Sequence, residues 1–136
     1  FSNGGFKEIL DDPAAVTNSV KRLIFSFGKI HYDLQAKREE LKNTNTALIR
    51  IEQMYPFPKE QFKNILNKYN KAKEYVWVQE EPHNMGAWGY LLRTLAPQLR
   101  DGELKCIARP ESASPATGSK KVHEQQQKDI LEKAFL

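Results

Sequence analysis

The sequence is poor in the features that mark secreted, membrane-spanning and zinc-binding proteins. Its one cysteine, Cys106, cannot form a disulfide within the chain, and a lone cysteine fits a reducing compartment. No apolar run reaches the roughly 18 residues of a membrane span, and no secretory signal is visible. None of the three histidines lies at zinc-site spacing from another histidine or from Cys106. We therefore expect a protein of the bacterial cytoplasm, with the mitochondrial matrix as the alternative, and no membrane partner.

Motifs for nucleotide binding and nucleophilic catalysis are missing as well. The segment SFGK at residues 26–29 has a single glycine, so it matches neither the dinucleotide-binding fingerprint nor the phosphate-binding loop. It predicts a tight turn between a strand and a helix, although such a junction can also hold a phosphate at the helix N-terminus. No G-x-S-x-G elbow is present, and Cys106 lies inside an apolar segment, so no nucleophile has a suitable context. We assign no catalytic, cofactor-binding or metal-binding residue.

The charge of the chain is nearly balanced. It carries 21 basic and 17 acidic side chains, a net charge of +4, and both signs are spread along its length. This pattern is typical of a solvated surface, whereas a nucleic-acid partner would need a concentrated basic face. We therefore expect no nucleic acid among the partners. The sequence begins at Phe1 without an initiator methionine, so we expect a fragment of a longer protein.

Short apolar segments alternate with amphipathic ones. The apolar segments lie at residues 23–27, 47–51, 75–78 and 104–108 and predict strands, and helical periodicity follows each of them. This alternation predicts a three-layer α/β/α domain, with a mostly parallel sheet between two layers of helices. Residues 1–19 lack a period and contain glycine and proline, which predicts a linker or docking arm, and residues 20–136 are predicted to form the domain.

Two carboxylates, Glu80 and Glu81, follow the third predicted strand. Neighbouring side chains on a strand point to opposite faces, so these two do not form a natural acid–base pair. We expect a structural role for them, either accepting loop N–H groups or receiving an arginine from a partner. Trp77 and Trp88 are expected to be core residues, because the basic groove that nucleic-acid stacking requires is not apparent.

Four longer strings together resemble, in order, the C-terminal region of the decarboxylase component of 2-oxoglutarate dehydrogenase, a thiamine diphosphate enzyme. They are RIEQMYPFP at residues 50–58, WVQEEPHNMGAW at 77–88, RPESASPATG at 109–118 and KVHEQQ at 121–126. The resemblance extends over residues 20–136. It implies a fold similar to the transketolase C-terminal domain, with five strands in a mixed sheet. The fifth strand would be short or would come from a segment that reads as loop.

Members of this family convert 2-oxoglutarate, with thiamine diphosphate and magnesium, into carbon dioxide and a succinyl group on a lipoyl arm, a step of the tricarboxylic acid cycle. The resemblance implies four partners: thiamine-binding domains upstream in the same chain, a second copy in a homodimer, and the dihydrolipoyl succinyltransferase and dihydrolipoyl dehydrogenase components. The family's Gly-Asp-Gly motif, which binds magnesium and diphosphate, is absent from this sequence. We therefore expect a structural and assembly part of an oxidoreductase that is inactive alone.

The resemblance also implies two interface loops at the C-terminal ends of strands, where open α/β sheets bind their ligands. The residues expected there are Glu80, Glu81, His83, Asn84, Trp88, Arg109, Ser112 and Ser114. The alternative function is a regulatory module that binds AMP or acetyl-CoA through Gln53 and Lys29. Gln53 matches a glutamine of the acetyl-CoA site in actinobacterial members, but the arginine pair of that site is replaced here by Glu60 and Gln61. Such a site would therefore lack its basic partners for phosphate.

Overall fold

Strands and helices alternate along the chain in the computed structural model, which describes residues 8–100, 102–110 and 120–136. The strands are β1 (Ile9–Leu10), β2 (Arg22–Ser26), β3 (Thr46–Ile51), β4 (Glu74–Pro82) and β5 (Leu104–Arg109). The helices are α1 (Ile30–Leu41), α2 (Lys59–Lys68), α3 (Trp88–Thr94) and α4 (Lys120–Ala134), with short 3₁₀ turns at Thr17–Ser19 and Ala96–Gln98. The four long strands coincide with the apolar segments that predicted them.

One sheet of five strands runs through the domain in the order β1-β3-β2-β4-β5. β2 pairs in parallel with both β3 and β4, and β4 pairs in parallel with β5. Only β1 is antiparallel; it lies beside β3 at one edge, with Ile9 opposite Ile51. The mostly parallel, mixed sheet of five strands that was predicted is confirmed.

Alternate residues of the central strands point to opposite faces of the sheet and form two apolar clusters. Phe25, Ile49 and Trp77 belong to the cluster on one face, which α2 and α3 cover. Ile24 and Leu48 belong to the cluster on the other face, which α1 and α4 cover. The periodicity of 2 in the strands thus produces the three-layer arrangement. Two residues whose helical spacing predicts burial, Leu41 of α1 and Val122 of α4, are instead 48% and 43% exposed.

The fifth strand lies inside the segment that was predicted to be a linker or docking arm. β1 has two residues, too few to show a period of 2, which explains why the sequence pattern did not reveal it. Ile9 is nevertheless part of the core. Its backbone amide donates a hydrogen bond of 2.8 Å to the side-chain oxygen of Gln61 on α2. The described part of the arm, residues 8–19, therefore packs on the domain.

A buried ion pair fixes the arm to the sheet. The carboxylate of Asp12 accepts hydrogen bonds from the guanidinium of Arg38 on α1 and from the backbone amide of Leu48 on β3, the latter at 2.9 Å. The side chains of Asp12 and Arg38 are only 2% and 10% exposed. One carboxylate thus joins three elements of the fold.

Asp11 makes a second, more exposed attachment of the arm. Its carboxylate accepts hydrogen bonds from Lys68 and from the hydroxyl of Tyr69, at the end of α2. Burial raises the pKa of Asp11, but the hydrogen bonds from Lys68, Tyr69 and the Asp12 amide outweigh burial and lower the pKa overall. The ionised form of Asp11 therefore favours the docked arm.

Candidate functional site

A cleft of about 460 Å³ lies at the carboxyl ends of the strands. It opens beside β2, β3 and β4, which end at the same edge because they are parallel. β2 and β4 are neighbours in the sheet. The chain leaves β2 towards β3 and leaves β4 towards β5, and β3 and β5 lie on opposite sides of this neighbouring pair. A crevice at such a switch point is where open α/β sheets bind ligands. The lining residues are Phe27, Glu52, Gln53, Met54, Tyr55, Trp77, Val78, Gln79, Glu80, Glu81, Gly86 and Ala87.

The side chain of Gln79 organises the loop that forms one wall of this cleft. Its amide nitrogen donates to the backbone oxygens of Pro82 at 2.7 Å and Met85 at 2.9 Å, and it also reaches that of Glu81. Its amide oxygen accepts from the indole nitrogen of Trp77 at 2.8 Å. Gln79 is buried, so these bonds offset the cost of removing its amide from water. Hydrogen bonds from the buried Gln79 side chain therefore fix the conformation of the loop after β4.

Gly86 completes the turn of this loop. Its φ of +73° lies in the left-handed region that glycine adopts without cost. A Cβ at this position would lie 3.1 Å from the side-chain oxygen of Gln79 and 3.2 Å from that of Glu81. Glycine therefore serves two purposes here, since it permits the turn and leaves room for the Gln79 side chain.

Carboxylates line the rim of the cleft. Glu52 is paired with Arg50, whose Nε lies 2.7 Å from its carboxylate. Glu80 and Glu81 accept no side-chain hydrogen bond and form no ion pair within the described part of the chain. Of the two roles predicted for these glutamates, acceptance of loop N–H groups has no counterpart among the described residues, because the loop is held by Gln79 instead.

Large apolar side chains are exposed around the same opening. Phe27, directly after β2, is 52% exposed, and Tyr55, after β3, is 67% exposed. Met85, in the loop after β4, is 59% exposed. Exposed apolar residues are common one at a time, but a group of them beside a cleft is typical of a surface that another polypeptide covers.

The residues predicted for an allosteric nucleotide are not brought into one basic site. Gln53 lines the cleft, and its side-chain nitrogen lies 3.4 Å from the backbone oxygen of Pro56. Lys29 is exposed at the N-terminus of α1 and does not belong to the described lining. The predicted tight turn before Lys29 is present, with Gly28 at a φ of +86°.

The predicted interface residues fall into two groups. Glu80, Glu81, His83 and Asn84 are exposed or half-buried on β4 and the loop that follows it, while Trp88 packs partly against the core. Ser112 and Ser114 lie outside the described residues. The roles assigned to these side chains at an interface stay predictions.

Arg109 points into the domain. It is buried at the end of β5, and its guanidinium donates to the backbone oxygen of His123 at 3.2 Å and to the side-chain oxygen of Gln127 at 2.6 Å. It also contacts the ring nitrogen of His123 at 3.2 Å. Within the described residues, Arg109 therefore joins β5 to the first turns of α4.

The remaining reactive side chains lie away from the cleft lining. Cys106 is partly buried on β5, and burial raises its pKa to about 12, so it stays a thiol at neutral pH. His31 is buried at the start of α1; burial and then the charge of Arg50 lower its pKa. No group of three or more His, Cys, Asp or Glu side chains in residues 8–100, 102–110 and 120–136 is placed to hold a metal ion.

Several residues that shape the cleft were not recognised from the sequence as site residues. The third predicted strand, at residues 75–78, stops before Gln79, although Gln79 lies within β4 two positions after Trp77, on the same face of the strand. A polar residue that continues an alternating apolar pattern was the signal that could have indicated its burial. Phe27 was assigned to a buried strand, but β2 ends at Ser26, which leaves Phe27 at the opening.

Fold and site together define an α/β domain that presents a cleft and exposed apolar loops at one edge of its sheet, as a domain that docks on another polypeptide does. The chain belongs to the 2-oxoglutarate dehydrogenase C-terminal family, whose model matches residues 1–135.

Named relatives belong to larger enzyme subunits. The chain is 44% identical over 138 residues to the 2-oxoglutarate dehydrogenase E1 component of Rickettsia typhi, with 98% of this chain and 15% of the relative aligned. It is 43% identical over 136 residues to the Cupriavidus necator E1 component, covering 98% of this chain and 14% of the relative. The 2-oxoadipate dehydrogenase complex component E1 of Danio rerio is 41% identical over 132 residues, covering 96% and 14%.

The chain therefore spans about one seventh of the length of these curated relatives. None of the helices in the described ranges has both the length and the apolar character needed to cross a membrane.

Proposed function

We propose that this chain is the C-terminal assembly domain of the decarboxylase component of a 2-oxoglutarate dehydrogenase complex. The observation that carries the proposal is the family match over residues 1–135, combined with alignment to only 14–15% of the relatives' length. The complete subunit would decarboxylate 2-oxoglutarate oxidatively and pass the succinyl group to a lipoyl arm. This domain would contribute to that activity by packing against other domains through its carboxyl-edge cleft and loops.

The cofactors of the complete subunit would be thiamine diphosphate and magnesium. The described residues cannot hold this pair of cofactors, because no group of acidic, histidine or cysteine side chains among them could bind the metal. The full sequence also has no Gly-Asp-Gly motif. We place the cofactor site in upstream domains of the same subunit, and we infer that the chain alone catalyses nothing.

The partners follow from the same proposal. They are the upstream thiamine-binding domains, a second subunit in a homodimer, and the dihydrolipoyl succinyltransferase and dihydrolipoyl dehydrogenase components of the complex. One relative of similar identity is named for 2-oxoadipate instead of 2-oxoglutarate. We infer that the choice between these two acids is made in the upstream domains.

The alternative function, a regulatory module for AMP or acetyl-CoA, has weaker support. The two residues predicted for this function do not lie in the same cleft, because Gln53 belongs to the described lining and Lys29 does not. Three carboxylates, those of Glu52, Glu80 and Glu81, share the cleft with Gln53. An anionic phosphate in this cleft would meet like charges, which oppose its binding.

The proposal is tested by assaying the purified chain for release of carbon dioxide from 2-oxoglutarate, with thiamine diphosphate and magnesium added. We expect a folded protein and no turnover. Turnover that survives repurification of the chain would contradict the proposal. A complete E1 component assayed in parallel serves as the positive control for substrate and cofactors.

A further inference from the structure

The cleft at the carboxyl ends of β2, β3 and β4 combines apolar walls with an acidic rim. Phe27 and Tyr55 supply exposed aromatic surface, while Glu80 and Glu81 supply carboxylates that have no ion-pair partner within the described ranges. We propose that this cleft seats an arginine side chain presented by the upstream part of the same subunit. The source of the arginine rests on the function proposed above, whereas the chemistry of the seat does not.

The chemistry of the cleft suits a guanidinium better than an ammonium ion. A guanidinium is planar, stacks on aromatic faces and binds carboxylates with two parallel hydrogen bonds, whereas an ammonium ion is a compact, strongly hydrated charge. The exposed ring of Tyr55 is supported by Tyr90, whose ring centroid is 4.3 Å away, so a stacking surface stands at the opening. Arg50 already lies over the ring of Tyr32 at 5.2 Å elsewhere in this domain, an internal example of the same contact.

The first described residue of the chain, Glu8, lies beside this edge of the sheet. The backbone oxygen of Glu8 accepts hydrogen bonds from the amides of Glu52 at 2.7 Å and Gln53 at 3.2 Å. Both of those residues line the cleft. The described chain therefore begins at Glu8, which pairs with two residues of the cleft lining.

The depth of the cleft also favours a single long side chain on a polypeptide. Its volume of about 460 Å³ holds the stem of an arginine together with part of the segment that carries it. The wall formed by the loop after β4 is held by the Gln79 side chain, so the seat exists before anything binds. A preformed seat lowers the cost of ordering on association.

The test uses nitrogen-15 NMR spectra of the 136-residue chain. The indole N–H of Trp77 is the reporter, because it bonds to Gln79 at 2.8 Å and lines the cleft, and a Trp88→Phe variant assigns it. The probes are N-acetyl-argininamide, its uncharged citrulline analogue, and AMP. The test variant is Glu80→Gln with Glu81→Gln, and the matched control is Glu39→Gln with Glu40→Gln, an exposed pair on α1.

We expect the Trp77 indole signal to shift saturably with the arginine probe at millimolar concentration and to stay in place with citrulline and AMP. Affinity should weaken by about fivefold or more in the cleft variant, because partly exposed ion pairs contribute modestly, and should be unchanged in the control variant. Four outcomes would overturn the proposal: no shift with the arginine probe, equal shifts with citrulline, a shift with AMP alone, or shifts that depend on protein concentration without any probe, which would indicate a second copy.

The outcome of this experiment is independent of the proposed function. The NMR signal reports only binding in the cleft, and activity is measured separately. If the isolated chain binds arginine and is also active, the assembly role is rejected and the arginine seat is kept. If the isolated chain is inactive and does not bind arginine, the arginine seat is rejected and the assembly role is kept.

Discussion

Removal of the Asp12 carboxylate is expected to be the most destabilising single change in the arm. Asp12 and Arg38 form an ion pair whose side chains are 2% and 10% exposed, so water screens it little. An Asp12→Ala substitution leaves the Arg38 guanidinium buried without its carboxylate. It also leaves the backbone amide of Leu48, which now bonds to Asp12 at 2.9 Å, without that acceptor.

The magnitude follows from what is left unpaired. Breaking a buried pair by removing one partner costs about 3–5 kcal/mol, and an unsatisfied buried amide costs about 1–3 kcal/mol. Both penalties arise from one carboxylate and are not simply added, so we expect a loss of about 3–5 kcal/mol in the free energy of unfolding. Against a typical total of about 5–15 kcal/mol, such a loss leaves the domain only marginally folded.

Urea denaturation followed by far-ultraviolet circular dichroism and tryptophan fluorescence measures this loss. The Arg38→Met variant and the double variant complete a cycle, in which the double variant should be clearly more stable than the sum of the single losses predicts. The control is Glu40→Gln, which removes a pair with Lys37 at 3.6 Å in which the Glu40 side chain is 69% exposed, and it should cost less than about 1 kcal/mol. If Asp12→Ala costs no more than this control, the reasoning about the arm is wrong.

Three further predictions concern the arm, the thiol and the cleft loop. The pKa of Asp11 is lowered in the folded protein, so its carboxylate contributes to folding stability above the unfolded pKa of about 3.9. This contribution is lost as pH falls through the folded-state pKa. The difference in stability between the wild type and Asp11→Asn should therefore shrink in acid titrations. Cys106, with its pKa raised to about 12, should react with Ellman's reagent at pH 8 roughly 10³ times more slowly than an unfolded cysteine, because only the thiolate attacks. Gly86→Ala should cost about 1–2 kcal/mol for the left-handed backbone and should also displace Gln79. Gly28→Ala should carry only the backbone cost, because no described residue beyond its two chain neighbours has an atom within 4 Å of the added Cβ.

Each of these has an outcome that contradicts it. An Asp11→Asn variant whose stability gap stays constant from pH 5 to pH 2 would remove the basis for the second attachment of the arm. Rapid reaction of Cys106 in the native chain, at the rate seen in urea, would show that its thiol is not protected. Equal shifts of the Trp77 indole signal in the two glycine variants would mean that Gly86 makes no room for Gln79.

The central sheet was predictable because its strands are buried on both faces and therefore read as continuous apolar runs. Such runs at residues 23–27 and 47–51 differ by one residue at most from the ends of β2 and β3. β1 was not predictable, because a two-residue strand carries no period and is held by Gln61 and by pairing with β3. Tertiary contacts, not local sequence, create it.

The candidate site was predictable in its location and not in its composition. Loops after parallel strands meet at one edge of the sheet, and Glu80 and Gln53 both line the cleft there. The role of Gln79 depends on three loop oxygens that only the folded turn brings within reach. The inward direction of Arg109 likewise depends on α4, which is distant in sequence.

The central claim is that this domain supports an active site that lies elsewhere in its subunit. Its most direct test compares a complete E1 component that contains this domain with the same subunit truncated before it, measuring release of carbon dioxide from 2-oxoglutarate and the oligomeric state in solution. We expect truncation to abolish the release and to impair dimer formation, even though the cofactor site that we propose for the upstream domains would be retained. A truncated subunit that stays dimeric and fully active would contradict it.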